Sequence, residues 1–364
     1  MSQLNTVLVY LGVKGGGLQL LVDTSRALED EKRRHLLVVS KENAKNILIS
    51  SNELTDVCFF GVPHSILGML KPTLLLTNFR ELIRLALFSI KLRNALIVQI
   101  MPSPFDAIID WFRPRQSSRI MRCIHDAKPH LGENWPRRRS IETRIRRANY
   151  LVTFSNFVSN QIIFHQSRKY VVALPRTFYS IGTVSENFQC FIEELKENDK
   201  PLVLSLGRGC DYKGLNLLQE LRSLNDTINL VIAGIGISQF SLPKNVTVID
   251  RWLTDSEFIF LLRAADILVF THVEASQSGT IPIAVGESKV IVTSNVGGLS
   301  EQVASYPFGN VFDISLEGSL LVAFKKALAQ TKTGNSNFGK GDCHPITSIK
   351  LANLIKSLEY QVDI

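Results

Sequence analysis

The sequence predicts an α/β protein built as two doubly wound, parallel-sheet domains that face each other across a central cleft. Three observations carry that expectation. The chain has 364 residues, more than one compact core holds at about 100–200 residues per domain. Short apolar runs alternate with stretches of helical periodicity in both halves, the βαβ punctuation of a parallel sheet covered by helices. The alternation breaks once, between Pro175 and Pro201, and then restarts. Residues 1–180 are therefore expected to form the first domain, 181–200 a linker, 201–342 the second domain, and 343–364 a C-terminal helix that returns toward the first domain.

The first strand is read over Thr6–Leu11, apolar on both faces as buried parallel strands are. It runs into Gly15-Gly16-Gly17 and a helix whose Leu20, Leu21, Thr24, Ala27 and Leu28 share one face. Strands follow at His35–Ser40, Val57–Gly61 and Ala95–Ile100, with a helix at Phe79–Leu92. Ile120–His125 ends in His125-Asp126, and Tyr150–Phe154 leads to Ser155, a plausible helix N-cap. In the second half, strands are read at Leu202–Leu206, Leu230–Ala233, Val246–Ile249, Ile267–Phe270 and Val290–Thr293. Helices are read over Leu215–Leu224 and from Thr254, Pro282 and Leu299, and Thr254 with Glu257 has the spacing of a capping box. Thr331–Gly341 is a polar loop, after which Pro345 opens a helix carrying Leu351, Leu354, Ile355 and Leu358 on one stripe.

Composition narrows the function. Hydrophobic residues make up 45% and charged residues 20%, enough apolar side chain for real cores. The five cysteines lie far apart, with no CxxC pair and no cysteine/histidine cluster at zinc spacing, which argues against a disulfide scaffold or a structural metal. No basic leader precedes the first apolar run, and no window approaches the ~18 apolar residues of a spanning helix, so a cytoplasmic location is expected. Against 33 acidic side chains stand 41 Lys and Arg, a formal charge of +8, and eleven of those cations fall between Arg113 and Arg147. Trp111, Phe112 and Trp135 are interleaved with them, a pattern that suits an anionic membrane surface. Nucleic acid is not expected, since no helix-turn-helix, RNP or OB pattern accompanies the charge.

Ligands of doubly wound sheets sit at the carboxyl ends of the strands. At one such end stand Gly207-Arg208-Gly209 and Asp211-Tyr212-Lys213-Gly214-Leu215, which supply a guanidinium fork and an ammonium point charge suited to a diphosphate. At another, Gly15, Gly16 and Gly17 let a backbone approach a ligand closely.

The order of motifs in the second half resembles a known family. GR…YKGL, the strand LVIAGIG, the strand ADILVF, the loop around Gly279, and VGGLSE are similar to the retaining glycosyltransferases of family 4, of GT-B fold with two Rossmann-like domains. The resemblance is strongest over Leu202–Val303 and looser in the first half. It implies that Arg208 and Lys213 hold the diphosphate of a nucleotide-sugar, with Gly279 and Thr280 completing the phosphate cradle and Ser276 and Glu301 on the donor side. It places the acceptor near Gly15, Gly16 and Gly17, and His125 and Asp126 beside the chemistry. The implied donor is a nucleotide diphosphate sugar, used without a metal or other cofactor. The implied acceptor is a glycan or polyprenyl-linked glycan of bacterial surface polysaccharide assembly, met on the inner face of the cytoplasmic membrane. The chain departs from the family at one point. Two glutamates eight positions apart are usual, and those positions hold Ser276 and Ala284, as in a QSG-containing variant; Glu274 and Glu287 lie nearby. Two other readings stand beside this one: a nucleotide-sugar epimerase of the same fold, and a non-catalytic nucleotide-binding protein.

Overall fold

The computed structural model describes residues 6–12, 16–43, 55–62, 75–129, 137–163, 168–174, 182–196, 199–224, 226–332 and 346–359. Gly15, Trp135 and Pro345, singled out above, and most of the 331–341 loop lie outside them.

Two all-parallel sheets organise the chain. The first joins β1 (Thr6–Tyr10), β2 (His35–Ser40), β3 (Thr55–Phe60), β4 (Leu96–Gln99), β5 (Arg119–Ile124), β6 (Tyr150–Thr153) and β7 (Arg168–Val171) in the order β3-β2-β1-β4-β5-β6-β7. The second joins β8 (Leu202–Leu206), β9 (Asn229–Ala233), β10 (Thr247–Ile249), β11 (Ile267–Phe270), β12 (Val290–Ser294) and β13 (Gly309–Phe312) in the order β10-β9-β8-β11-β12-β13. In each, chain order reverses next to the first strand, between β1 and β4 and between β8 and β11. Connections leave such a point in opposite directions and open a crevice at the strand ends.

Alternation along the strands builds a core on each face of each sheet. Leu8, Tyr10, Val98, Met121 and Val152 pack on one side of the first sheet, Val7, Val9, Ile97 and Ile120 on the other. The second sheet divides in the same way, Leu204 and Leu206 against Val203 and Ile232. The terminal helix, Ile346–Glu359, crosses back as expected and seats Leu351, Ala352, Ile355 and Leu358 in the first core beside the helix Gly16–Asp30. Each fully buried aliphatic side chain there is worth about 1.5–3 kcal/mol. Glu359 fixes the register by accepting from the Thr6 hydroxyl and the Arg33 guanidinium.

The expected linker is not all loop. Glu186–Glu194 is a helix whose Phe188 and Ile192 are buried in the second core, with Phe188 6.4 Å from Phe260 between ring centroids. Its flanking acidic residues hide that apolar face in the sequence. Leu215–Leu224 stands as 3₁₀ turns. The capping box of Thr254 and Glu257 and the N-cap of Ser155 form as read.

The basic stretch is only partly a surface. Arg122, wholly buried in β5, pairs with Asp110, and Arg144 of the helix Arg137–Arg146 pairs with buried Asp106 at 3.2 Å. Arg113 is buried as well, donating to the Ser118 carbonyl and hydroxyl. Three of the eleven cations therefore turn inward: Arg122 ties the helix Asp106–Phe112 to the sheet, Arg144 ties it to the helix Arg137–Arg146, and Arg113 closes the loop that follows it, while Arg115, Lys128, Arg139, Arg146 and Arg147 remain exposed.

Candidate active site

The ends of β1, β5, β8 and β11 face one another across a cavity of about 470 Å³, lined from both domains. Arg208 follows β8 directly. Lys213 is carried by the turn Asp211–Lys213, which Gly214 ends in a left-handed conformation at φ +58°. Only glycine fits there, since a Cβ would meet the Thr271 carbonyl oxygen at 2.3 Å. The same turn is stitched to the end of β11: the Thr271 hydroxyl donates to the Lys213 carbonyl at 2.9 Å, and the Val273 amide to the Tyr212 carbonyl at 2.9 Å. This brings Lys213 Nζ to 2.8 Å from His272 Nε2.

Burial pushes the Lys213 ammonium down to about 8, and the nearby Arg208 charge pushes the same way. Among the described residues, no carboxylate forms an ion pair with either cation. Two cations without a carboxylate partner among the described residues, Lys213 half-buried and Arg208 exposed at the cavity wall, are a ready receptor for a polyanion.

Opposite them, Gly279 is the N-cap of the helix Thr280–Gly286, and both Gly279 and Thr280 line the cavity. The loop before them is held by Gln302, whose amide accepts from the Ser278 N–H and donates to the Ser278 carbonyl, both at 2.9 Å. From the first domain come Gly16, Met101, His125, Asp126 and Leu174. The His125 ring lies 4.7 Å from Phe154 between centroids and has both nitrogens engaged, Nε2 with the Ile100 carbonyl at 3.3 Å and Nδ1 with Gln277 at 3.1 Å. With both nitrogens engaged, the ring is held in place at the cavity wall.

Other expected site residues sit elsewhere. Gly17 is buried behind the cavity, where a Cβ would lie 2.3 Å from Met101 Sδ, so its absent side chain serves packing. Ser276 is buried away from the cavity, its carbonyl accepting from the Ser155 hydroxyl and the Gly298 amide. Glu301 does not line the cavity. Its two carboxylate oxygens accept the Asn156 and Phe157 amides, each at 2.8 Å, and so cap a helix of the other domain. Gly297 and Gly298 permit that approach: a Cβ on Gly298 would fall 2.8 Å from Ser155 Cβ. VGGLSE is thus a seam between the domains. Glu287 is bound bidentately by Arg263 at 3.0 Å for both bonds, and neither it nor Glu274 lines the cavity. Gln277, Tyr212 and Phe258 also line the cavity, and the sequence alone assigned them no role. Gln277 sits two residues before Gly279, and that adjacency was the one available signal.

Residues 188–337 match the family model described as glycosyl transferases group 1. That segment is similar to a group 1 glycosyltransferase domain. The whole chain, at 99% coverage of both partners, superposes on sucrose-phosphate synthase from Thermosynechococcus elongatus with a TM-score of 0.70 at 15% identity. HepE of Anabaena in complex with UDP-glucose gives 0.63 at 16% identity, covering 99% of this chain and 98% of that one. The catalytic domain of starch synthase IV from Arabidopsis thaliana, bound to ADP and acarbose, gives 0.64 at 14% identity with 99% of each chain covered. These likenesses establish the GT-B fold. No curated protein matches the sequence. The cavity therefore lies between the two Rossmann-like domains, with Arg208 and Lys213 on the side that the family model matches. Among the described residues, no group of three or more His, Cys, Asp or Glu is placed to hold a metal ion.

Proposed function

We propose that the enzyme moves a hexose from a nucleoside diphosphate sugar to a glycan or polyprenyl-linked glycan with retention of configuration, in the assembly of bacterial surface polysaccharide. The observation that carries this reading is the Arg208 and Lys213 pair, two cations that have no ion-pair partner among the described residues and line the cavity from the second domain. A departing nucleoside diphosphate develops charge on its oxygens, and fixed cations in a recess stabilise it most where water is scarce. Gly279 and Thr280, across the cavity, add a helix start that favours the same anion. In thermal unfolding, a nucleoside diphosphate or its hexose derivative at ~100 times its dissociation constant should stabilise the enzyme by ~2.7 kcal/mol. Incubation of the matching donor with a glycan acceptor should then give a product with the donor's anomeric configuration. Release of a free epimerised sugar without acceptor would favour the epimerase reading instead, and stable binding with no transfer the non-catalytic one.

For the setting, we propose an anionic membrane surface. Among the described residues no helix is long and apolar enough to cross a membrane. The helix Leu75–Ile90 nevertheless buries Asn78, Leu85 and Ser89 on one face and exposes Leu76, Phe79, Ile83, Leu87 and Ile90 at helical spacing on another. Arg80 and Lys91 are exposed beside that stripe, and the packed neighbouring helix exposes Trp111 and Phe112, with Arg147 over the Trp111 ring at 5.8 Å. An apolar stripe edged by cations suits the headgroup region of an anionic bilayer. The purified enzyme should sediment with anionic vesicles at low salt, and the combined change of Leu76, Ile83 and Leu87 to Glu should release it. Equal binding of the wild type to neutral and anionic vesicles would count against this placement.

A further inference from the structure

A lysine ammonium carries three donors and no acceptor, and each donor taken from water needs a partner. Past the end of β11 one partner is built in. His272 Nε2 stands 2.8 Å from Lys213 Nζ, and both residues line the cavity. The ring is 3% exposed and held by its neighbours, stacked on Phe270 at 6.2 Å between centroids and 29° between planes, with Tyr212 also at 6.2 Å. The lysine is held as firmly. Thr271 and Val273, on either side of His272, both bond to the turn that carries it, so the backbone sets the spacing of the two side chains. Gly207, at φ +137°, brings no side chain to the ammonium, where a Cβ would lie 3.0 Å from Nζ.

The contact constrains both protons and charge. With the ammonium as donor, Nε2 must present its lone pair, so the imidazole is neutral and carries its proton on Nδ1. An imidazolium would have no lone pair there and would put two cations in contact. A carboxylate in the same place would cancel the lysine charge and compete with an anionic ligand. A neutral imidazole does neither: it takes one N–H, leaves the positive charge whole, and leaves two N–H donors for the cavity.

We propose that His272 is a positioning residue, its Nε2 accepting from Lys213 Nζ and thereby holding the ammonium at the cavity wall with two N–H donors ready for the diphosphate. This rests on the proposed function, which puts a diphosphate beside Lys213. The alternative role for the ring is packing alone, against Phe270 and Tyr212, and the two roles make opposite demands on a substitute. Phenylalanine keeps a ring for Phe270 and Tyr212 and removes the acceptor. Glutamine removes the ring and keeps an acceptor at about the reach of Nε2.

The test uses the full chain with pyrophosphate, UDP and ADP as probes. At pH 7, His272→Phe is expected to weaken the Kd of each probe that the wild type binds about ten- to a hundredfold, and His272→Gln to stay within about threefold of the wild type. The pH dependence of binding separates the roles again. The titratable groups about Lys213 are Arg208 after β8, Cys210 and Tyr212 of its own turn, His272, and His125 and Asp126 at the same cavity, and the two variants change only His272. A hydrogen bond from the ammonium to Nε2 favours the charged lysine, so its loss in His272→Phe should start the fall of affinity at lower pH than in the wild type, while His272→Gln keeps the wild-type profile. Nitrogen-15 NMR of the wild type at pH 7 should show a neutral His272 ring, protonated at Nδ1 and bare at Nε2. An Nε2–H tautomer there, equal losses in the two variants, or a larger loss in His272→Gln than in His272→Phe would overturn the positioning role while leaving the proposed function intact. Failure of the wild type to bind any of the three probes would remove the proposed function, and this inference with it.

Discussion

Replacing Arg208 or Lys213 with alanine should lower turnover by ~10²-fold or more, because each change removes charge-assisted contacts to a leaving group held in a recess. The pair should also give nucleotide binding a distinctive pH dependence. Burial and the Arg208 charge bring Lys213 down to about 8 in the free enzyme, and a diphosphate beside it must raise that value. Below pH 8 the ammonium is present and affinity is full. As pH rises past 8 the free enzyme loses the proton that the complex needs, and affinity should fall by up to tenfold per pH unit until the bound-state value is passed. Binding near pH 8.5 should therefore take up a proton, measurable by calorimetry in two buffers of different ionisation enthalpy. Arg208→Ala removes the neighbouring repulsion and should shift the fall to higher pH; Lys213→Ala should abolish it. Near-normal turnover in both variants, or a flat wild-type affinity from pH 7 to 9.5, would end the assignment of this clamp.

What the sequence disclosed of this enzyme follows from the range over which each determinant acts. Strands such as β1, β4, β8 and β11 were legible because a parallel sheet covered on both faces demands an unbroken apolar run, a local signal. The strand β7 was missed: it lies on the edge of its sheet, reads Arg-Lys-Tyr-Val and is mostly exposed, so nothing in it alternates. The strand β13 and the helix Ser319–Lys332 were passed over as well, although Leu320, Phe324 and Ala327 of that helix lie in the core. At the site, Arg208, Lys213 and Gly279 could be found because each stands at a strand or helix end that local periodicity marks. Glu301 and Gln277 could not be assigned, because their partners Asn156, Phe157 and His125 are 144 to 152 positions away and belong to the other domain. The basic stretch misled for a related reason. A run of arginines reads as a solvated face, and only the fold shows that Arg113, Arg122 and Arg144 turn inward while their neighbours do not.

That inward turn carries the largest expected effect on stability. Arg122 is wholly buried on β5, and its ion-pair partner is Asp110, whose other oxygen lies 3.5 Å from the Gln99 amide nitrogen on the neighbouring strand β4. Asp106, a turn earlier on the same helix, is paired with Arg144 and caps the Ser103 amide at 2.9 Å, and burial raises its pKa. Asp110→Ala would leave Arg122, Arg144 and Arg113 around one carboxylate that Arg144 already occupies. Removing one partner of a buried pair costs about 3–5 kcal/mol, since the remaining charge is stranded away from water. In a two-domain chain the loss is best read locally. Amide exchange from β4 and β5 should accelerate ~10²-fold or more in Asp110→Ala, while β8 and β11 of the second domain keep their protection. The double change Asp110→Leu with Arg122→Met should recover most of that loss, because apolar groups of similar volume remove the charge along with its partner. Unaltered exchange in β4 and β5 of Asp110→Ala would mean that Arg122 reaches another acceptor or water, and that the pair does not hold the helix Asp106–Phe112 to the sheet.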